Sequence, residues 1–219
     1  MIQLSRSLRK HSPRRVAAIL AATGVAAALL AGCQPQTQSA AAGSGEAQRT
    51  FHDAEAGVTL AYPATLERVD GNADTPAVRS YFDNGSWQLY ASDPGKTLIT
   101  LALPGSNAIT TGLWRLGVSR DPAAVRQCQR LPANAQRQTG PSPLGGDDAT
   151  LFTQSDAGMN HFREVESYRR VIAATCYAVD LIVEGSNGEV YDPPRQAPFS
   201  RDAAWQALRE INTGLHLDG

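Results

Sequence analysis

The stretch Phe162–Glu184, FREVESYRRVI-AA-TCYAVDLIVE, reads as two long strands joined by a tight turn at Ala173-Ala174. In the second strand, Thr175 to Glu184, Tyr177, Val179, Leu181 and Val183 recur at period 2 and therefore line one face of a pleated strand. Cys176 points to the other face. The first strand carries Glu164 and Glu166 on a shared face, about 7 Å apart at the rise of an extended chain.

Working outward, period 2 dominates the preceding sequence as well. Val58, Leu60 and Tyr62 share a face and Pro63 ends their run, while Leu98 to Leu103 is almost wholly apolar, as a strand covered on both faces would be. Leu113 to Val118 alternates again. Val78–Phe82 and Ser86–Ala91 flank Asp83-Asn84-Gly85, and Asn-Gly is the pair preferred in a tight hairpin turn. A strand resumes at Ala149–Thr153 after a Pro-, Gly- and Gln-rich stretch, 133–147, that reads as a long surface loop.

Two helices interrupt the strands. Asp121-Pro122 supplies an N-cap and first helical residue for a short helix with Val125, Cys128 and Leu131 on one face. Ser200 caps a second whose face is Ala204, Leu208, Ile211 and Leu215, with Gly214 placed to end it. Antiparallel strands with two helices predict an α+β fold, a single domain in which helices pack on an antiparallel sheet. The ends of that domain, Gly57-Val58-Thr59-Leu60-Ala61-Tyr62-Pro63 and a helix running into Ile211–Leu217, resemble the PsbP-like fold, whose members open and close in a similar way. The resemblance implies a sandwich used mainly for binding, with no partner specified.

Upstream, residues 1–32 have a different composition. Arg6, Arg9, Lys10, Arg14 and Arg15 precede an apolar run, Val16 to Leu30, of 15 residues, whereas a membrane-spanning helix needs about 20. That pattern is an export signal. Its end, Leu30-Ala31-Gly32-Cys33, resembles the lipobox of bacterial lipoproteins, which implies cleavage before Cys33 and attachment of a diacylglycerol thioether and usually an N-acyl chain there. Two or more chains, at about 0.8 kcal/mol per buried CH₂, hold a soluble domain at a bilayer. Gln34 stands where an aspartate would favour inner-membrane retention, so outer-membrane anchoring facing the periplasm is expected. Residues 33–50 then form an acylated N-terminus and a flexible tether, whose 17 residues after Cys33 span roughly 23 Å, and 51–219 is the globular domain.

Cleavage changes the charge. Loss of five cations leaves 15 Lys plus Arg against 21 Asp plus Glu, near −6, which argues against nucleic acid as a partner. With Cys33 acylated, Cys128 and Cys176 remain as an even pair in an oxidising compartment, and a disulfide between them is expected. Neither sits in C-x-x-C spacing that would point to zinc or a reactive thiol.

Catalytic motifs are sparse. Gly145-Gly146-Asp147-Asp148 superficially resembles the GGDEF motif of cyclic dinucleotide synthases, but Ala149 and Thr150 replace its last two residues. The mature histidines, His52, His161 and His216, have no partner at metal-ligand spacing, and neither a G-x-S-x-G elbow nor a phosphate loop is present, so no catalytic, metal or cofactor residue is expected. Trp87, Tyr90, Trp114 and the loop Tyr191-Asp192-Pro193-Pro194 are candidates for a recognition surface, with the core the preferred place for Trp87 and Trp114. The expectation is a lipid-anchored envelope protein, non-enzymatic, that binds a protein or cell-wall component as an inhibitor, immunity factor or assembly accessory. The alternative is an envelope hydrolase acting on peptidoglycan, with His161 or Glu166 as its acid or base.

Overall fold

The strand pair predicted around Ala173-Ala174 forms the spine of the molecule. A computed structural model describes residues 47–69 and 95–218, all within one compact unit. The leader, Cys33, most of the tether and the hairpin expected at 78–91 lie outside the described residues.

In chain order the described elements are β1 (Gln48–Asp53), β2 (Val58–Pro63), β3 (Glu67–Arg68), β4 (Lys96–Ala102), β5 (Thr111–Ser119), α1 (Pro122–Gln127), β6 (Gln136–Gln138), β7 (Thr150–Gly158), β8 (His161–Ile172), β9 (Thr175–Ser186), α2 (Arg201–Ile211) and β10 (Leu215–Leu217). Seven strands form an antiparallel sheet in the order β3-β4-β5-β9-β8-β7-β6, and a second sheet runs β1-β2-β10. The fold is α+β, as the pattern of strands and helices predicts.

Register explains the burial. Across the β8–β9 pair Glu166 faces Leu181 and Ser167 faces Asp180; across β5–β9 Trp114 faces Leu181 and Arg115 faces Asp180. One face of the large sheet therefore presents Trp114, Leu116, Val179 and Leu181, all fully buried, and α2 covers it with Ala204, Leu208 and Ile211. Both helix caps form as predicted: Asp121 accepts from the amides of Ala123 and Ala124, and Ser200 accepts from that of Ala203. Trp114 is a core residue, its indole N–H donating to Asn212 Oδ1 at 2.7 Å.

Several boundaries differ from the sequence reading. Strand β1 begins at Gln48, three residues before the expected domain start, and β7 runs on to Gly158 because its turn at Met159-Asn160, with φ of 51° and 68°, lets it pair with β8 throughout. The stretch 133–147 is not all loop, since β6 pairs with β7 there. The second helix stops at Ile211 rather than reaching Leu215. Gly214 ends it by close approach: a Cβ there would lie 1.9 Å from the carbonyl oxygen of Ala61, and its absence lets Leu215–Leu217 join β2 as a strand.

Cys128, just after α1, lies against Cys176 on β9 in disulfide geometry, with Cα atoms 5.6 Å apart. Among the described residues no helix is long and apolar enough to cross a membrane.

Candidate functional site

The region where α2 crosses β8 brings the two carboxylates that the sequence paired, Glu164 and Glu166, against polar side chains of the helix. On α2, Arg201, Trp205 and Arg209 recur every four residues and so stack along one side of the helix. On β8, Glu164, Glu166 and Tyr168 recur every two residues and face them. Glu164 accepts from Arg201 Nη1 at 2.8 Å and from the Trp205 indole N–H at 3.3 Å. Glu166 takes Arg209 at two points, Nη2 at 2.7 Å and Nε at 3.2 Å, and also accepts from the Tyr168 hydroxyl. Burial, then the bond to Glu166 and its negative charge, raise the Tyr168 hydroxyl above the usual tyrosine range. The bonds to Glu166 likewise raise the Arg209 guanidinium against the opposing effect of burial. The whole is a clamp that fixes α2 on the sheet.

Beside the clamp lies a groove of about 260 Å³ between β7, β8 and α2. Its walls include Gln154, Glu164, Glu166, Trp205 and Arg209, with Asn134 and Gln136 contributed by the start of β6 and the residues before it.

His161 does not join the carboxylates. Three positions separate it from Glu164, which puts the two on opposite sides of an extended strand, and it lines a different groove of about 520 Å³ with Phe162, Ser186, Asn187 and Arg201. His52 bonds Thr59 Oγ1 through Nδ1 at 3.1 Å on β1, while His216 lines a third groove, of about 560 Å³, between β2 and the end of α2. Three histidines in three places hold no common ligand, and among the described residues no group of three His, Cys, Asp or Glu side chains could hold a metal. Gly145 and Gly146, both at positive φ, form a turn whose neighbour Asp148 accepts from Arg170 Nε at 2.8 Å. Tyr191 carries Arg195 over its ring at 4.3 Å and meets Ser186 Oγ through its hydroxyl at 3.2 Å. Cys33, Trp87 and Tyr90 lie outside the described residues.

A second polar set was not singled out from the sequence. On the face of the large sheet opposite α2, Asp180 accepts from Arg169 Nη1 at 2.7 Å, from Arg115 Nη2 at 3.4 Å and from the Ser167 hydroxyl, with all four residues buried. Burial alone would raise the Asp180 carboxyl, but the two guanidinium charges and the bonds from Arg169 and Ser167 outweigh it and hold the group below the usual carboxylate range. Arg163 and Glu184 form a further buried pair at 3.8 Å. The signal in the sequence is the match of charge across neighbouring strands, visible only once register is known.

No family model matches the chain. No curated protein matches it. Among solved structures, the solution structure of cyanobacterial PsbP (CyanoP) from Synechocystis sp. PCC 6803 is similar over 80% of this chain and 96% of that one, at 10% identity and a TM-score of 0.36. A likeness of that degree leaves the fold to be argued from strand order and register.

Proposed function

We propose that the chain is a lipid-anchored protein of the bacterial cell envelope, held by acyl chains on Cys33 in the outer membrane and facing the periplasm, that binds a protein or cell-wall component without turning it over. Roles of this kind include inhibitor, immunity factor and assembly accessory. The observation that carries the binding reading is what the β8 carboxylates do. A general acid or base must be poised toward a substrate proton, whereas Glu164 and Glu166 are already bonded to Arg201, Trp205 and Arg209 and fasten a helix. The hydrolase alternative, with His161 or Glu166 as acid or base, would be favoured by one cleft converging on His161, Glu164 and Glu166, whereas His161 and the two carboxylates line separate grooves. The address rests on the cationic leader, the short apolar run and Leu30-Ala31-Gly32-Cys33.

Fractionation of cells making the wild-type chain and Cys33→Ala tests the address. Wild type is expected with the outer membrane, bearing an acylated N-terminal cysteine by mass spectrometry, and the variant in the soluble periplasmic fraction. A variant that stays on membranes overturns the anchor. Affinity capture from solubilised envelopes is expected to retain a specific protein or cell-wall fragment, and turnover of purified peptidoglycan by the chain overturns the non-enzymatic role.

A further inference from the structure

We propose that the end of the large sheet carrying the β7–β8 turn lies on the phospholipid bilayer, with Met159 inserted among the headgroups, so that the domain docks on the membrane instead of hanging free from its anchor. The inference rests on the acylation of Cys33 proposed above and deepens it by giving the anchored domain an orientation.

The chain enters the domain at this end. Strands β4, β7 and β9 finish there, at Ala102, Gly158 and Ser186, and β5 and β8 begin there. Gln48, the first residue of β1, pairs with Pro63 and lines one groove with Leu103 and Pro104, which follow β4. The β1–β2 turn lies at the opposite end, where Asp53 meets Lys96 and Glu55 meets Arg120. Residues 34–47 join Cys33 to β1 and reach at most about 50 Å even when fully extended. The 12 residues of β8 cover about 40 Å. Turning the opposite end to the membrane would consume most of that reach in running back along the sheet, whereas turning this end to it consumes little.

The two ends also differ in chemistry. Residues 64–66, 103–110 and 157–160 hold no charged side chain, and the loop 187–199 adds Val190, Tyr191 and Pro193-Pro194 with Glu189, Asp192 and Arg195 as its charges. The opposite end exposes Glu55, Lys96, Arg120, Arg126, Asp147 and Asp148. The mature chain is acidic as a whole, and the end poorer in charge is the one that anionic lipid repels least.

Apolar side chains are displayed at the same end. Met159 and Asn160 form a two-residue turn with φ of 51° and 68°, the geometry for which Asn-Gly is favoured. The turn at the far end of β8 is likewise built at positive φ and carries Ala173-Ala174. Here the first position carries a long apolar side chain that is 82% exposed, and Val190 is 54% exposed; among the described residues these are the exposed large hydrophobic side chains. The Asn187 N–H donates to the Asn160 carbonyl at 2.8 Å, which ties the turn to the loop that holds Val190. An unbranched, flexible methionine suits the uneven boundary between headgroups and acyl chains. Two such side chains would hold a protein from solution only weakly, but acyl chains on Cys33 keep them at high local concentration beside the bilayer, where weak contact suffices.

The mature chain marks its own two ends, since Met159 is its single methionine and Lys96, with a side chain 64% exposed, its single lysine. The acylated chain on vesicles of phosphatidylethanolamine and phosphatidylglycerol is compared with Cys33→Ala in solution, by mass spectrometry after hydroxyl-radical oxidation and after labelling with a membrane-impermeant amine reagent. Met159 is expected to oxidise about tenfold more slowly on vesicles, as a docked population of about nine in ten requires, while Lys96 labels at an unchanged rate. Met159 oxidising as fast on vesicles as in solution overturns the orientation alone. Slowed labelling of Lys96 places the opposite end on the bilayer and overturns it too. Met159 protected in Cys33→Ala until the chain is diluted points to a second copy on the turn, again against the proposal. A chain without acyl mass on Cys33, or one that does not float with the vesicles, overturns the anchor and the docking together.

Discussion

On the α2 side of the large sheet, Trp114, Leu116, Val179 and Leu181 meet Leu208 and Ile211, and the buried charge beside them, Glu166, is held by Arg209, which reaches solvent. On the other side the same central strands, β5, β8 and β9, present Arg115, Ser167, Arg169 and Asp180, equally buried and flanked by Ala102, Leu113, Val165 and Ile182. The two faces are held by different physics. Apolar contact is non-directional and tolerates volume-conserving change, whereas buried charges depend on fixed partners and geometry. Strand β9 supplies both, since alternation sends Leu181 one way and Asp180 the other.

The largest expected effect comes from breaking the ionic face. Asp180→Ala removes the carboxylate shared by Arg115 and Arg169 and is expected to lower stability by about 3–5 kcal/mol in urea unfolding. Replacing Arg115, Arg169 and Asp180 together with apolar side chains of similar volume should cost far less and could be neutral or stabilising. If the triple variant is as unstable as Asp180→Ala, the contrast between the faces is wrongly drawn. The same group sets an acid limit. Its folded pKa lies below its ordinary value of 3.8, so its contribution is complete above about pH 4 and is lost as pH falls through the folded pKa. Asp180→Asn should flatten that part of the stability profile below pH 4.

Next comes the apolar face. Leu208→Ala deletes a fully buried side chain beneath α2 and is expected to cost about 3 kcal/mol, within the usual 2–5 for such truncations. Unlike the loss at Asp180, this cost should not change as the pH is lowered from neutral to below about pH 4, where the Asp180 contribution is lost.

Much of the apolar face was legible before any coordinates, because Tyr177, Val179, Leu181 and Val183 announce themselves by period and the caps at Asp121 and Ser200 by residue type. The ionic face was not. Asp180 and Glu184 alternate with the apolar set and carry no apolar signal of their own; only the register that puts Arg115, Ser167 and Arg169 beside Asp180 shows what holds them in a buried face. The clamp was half legible. Glu164 and Glu166 stood out as a pair, but their partners lie on a helix some 37 to 43 positions away, beyond any local pattern. The strand at Leu215 was missed because Gly214, which as a helix stop fits the sequence well, serves a contact with Ala61 that local sequence does not encode.

A smaller effect is expected at the edge where the ionic face meets α1. Cys176 belongs to that face, and Cys128→Ser with Cys176→Ser opens a cross-link spanning 48 residues, which should lower stability by about 2–4 kcal/mol with the intact protein as reference. A thiol titration that finds both cysteines free in the protein isolated from its envelope would remove the cross-link from the account.

The smallest sharpens the comparison rather than breaking it. Ala173 and Ala174 adopt φ of 45° and 59°, conformations that L side chains with a Cβ visit at a cost of about 1–2 kcal/mol each. This turn sets the β8–β9 register, and a slip of one residue would exchange the apolar and ionic faces. Ala173→Asn with Ala174→Gly should raise stability by about 1 kcal/mol and leave both faces unchanged. A decrease would mean that the alanines contribute contacts the turn geometry does not reveal.

The placing of β1 has a mechanical consequence. It is the outermost strand of the small sheet, bonded along one side to β2 over six residue pairs, with the Ala64 N–H donating to the Ala47 carbonyl at 2.7 Å just before them. A load arriving from the N-terminal side therefore works first on that bond and then on the ladder, pair by pair, toward Asp53. The seven-stranded sheet meets β1 through side chains, Lys96 with Asp53 at 3.7 Å and Arg68 over the Phe51 ring at 5.5 Å. A pull on the chain can thus lengthen it by one strand while both faces of the large sheet, and the groove beside α2, keep their shape.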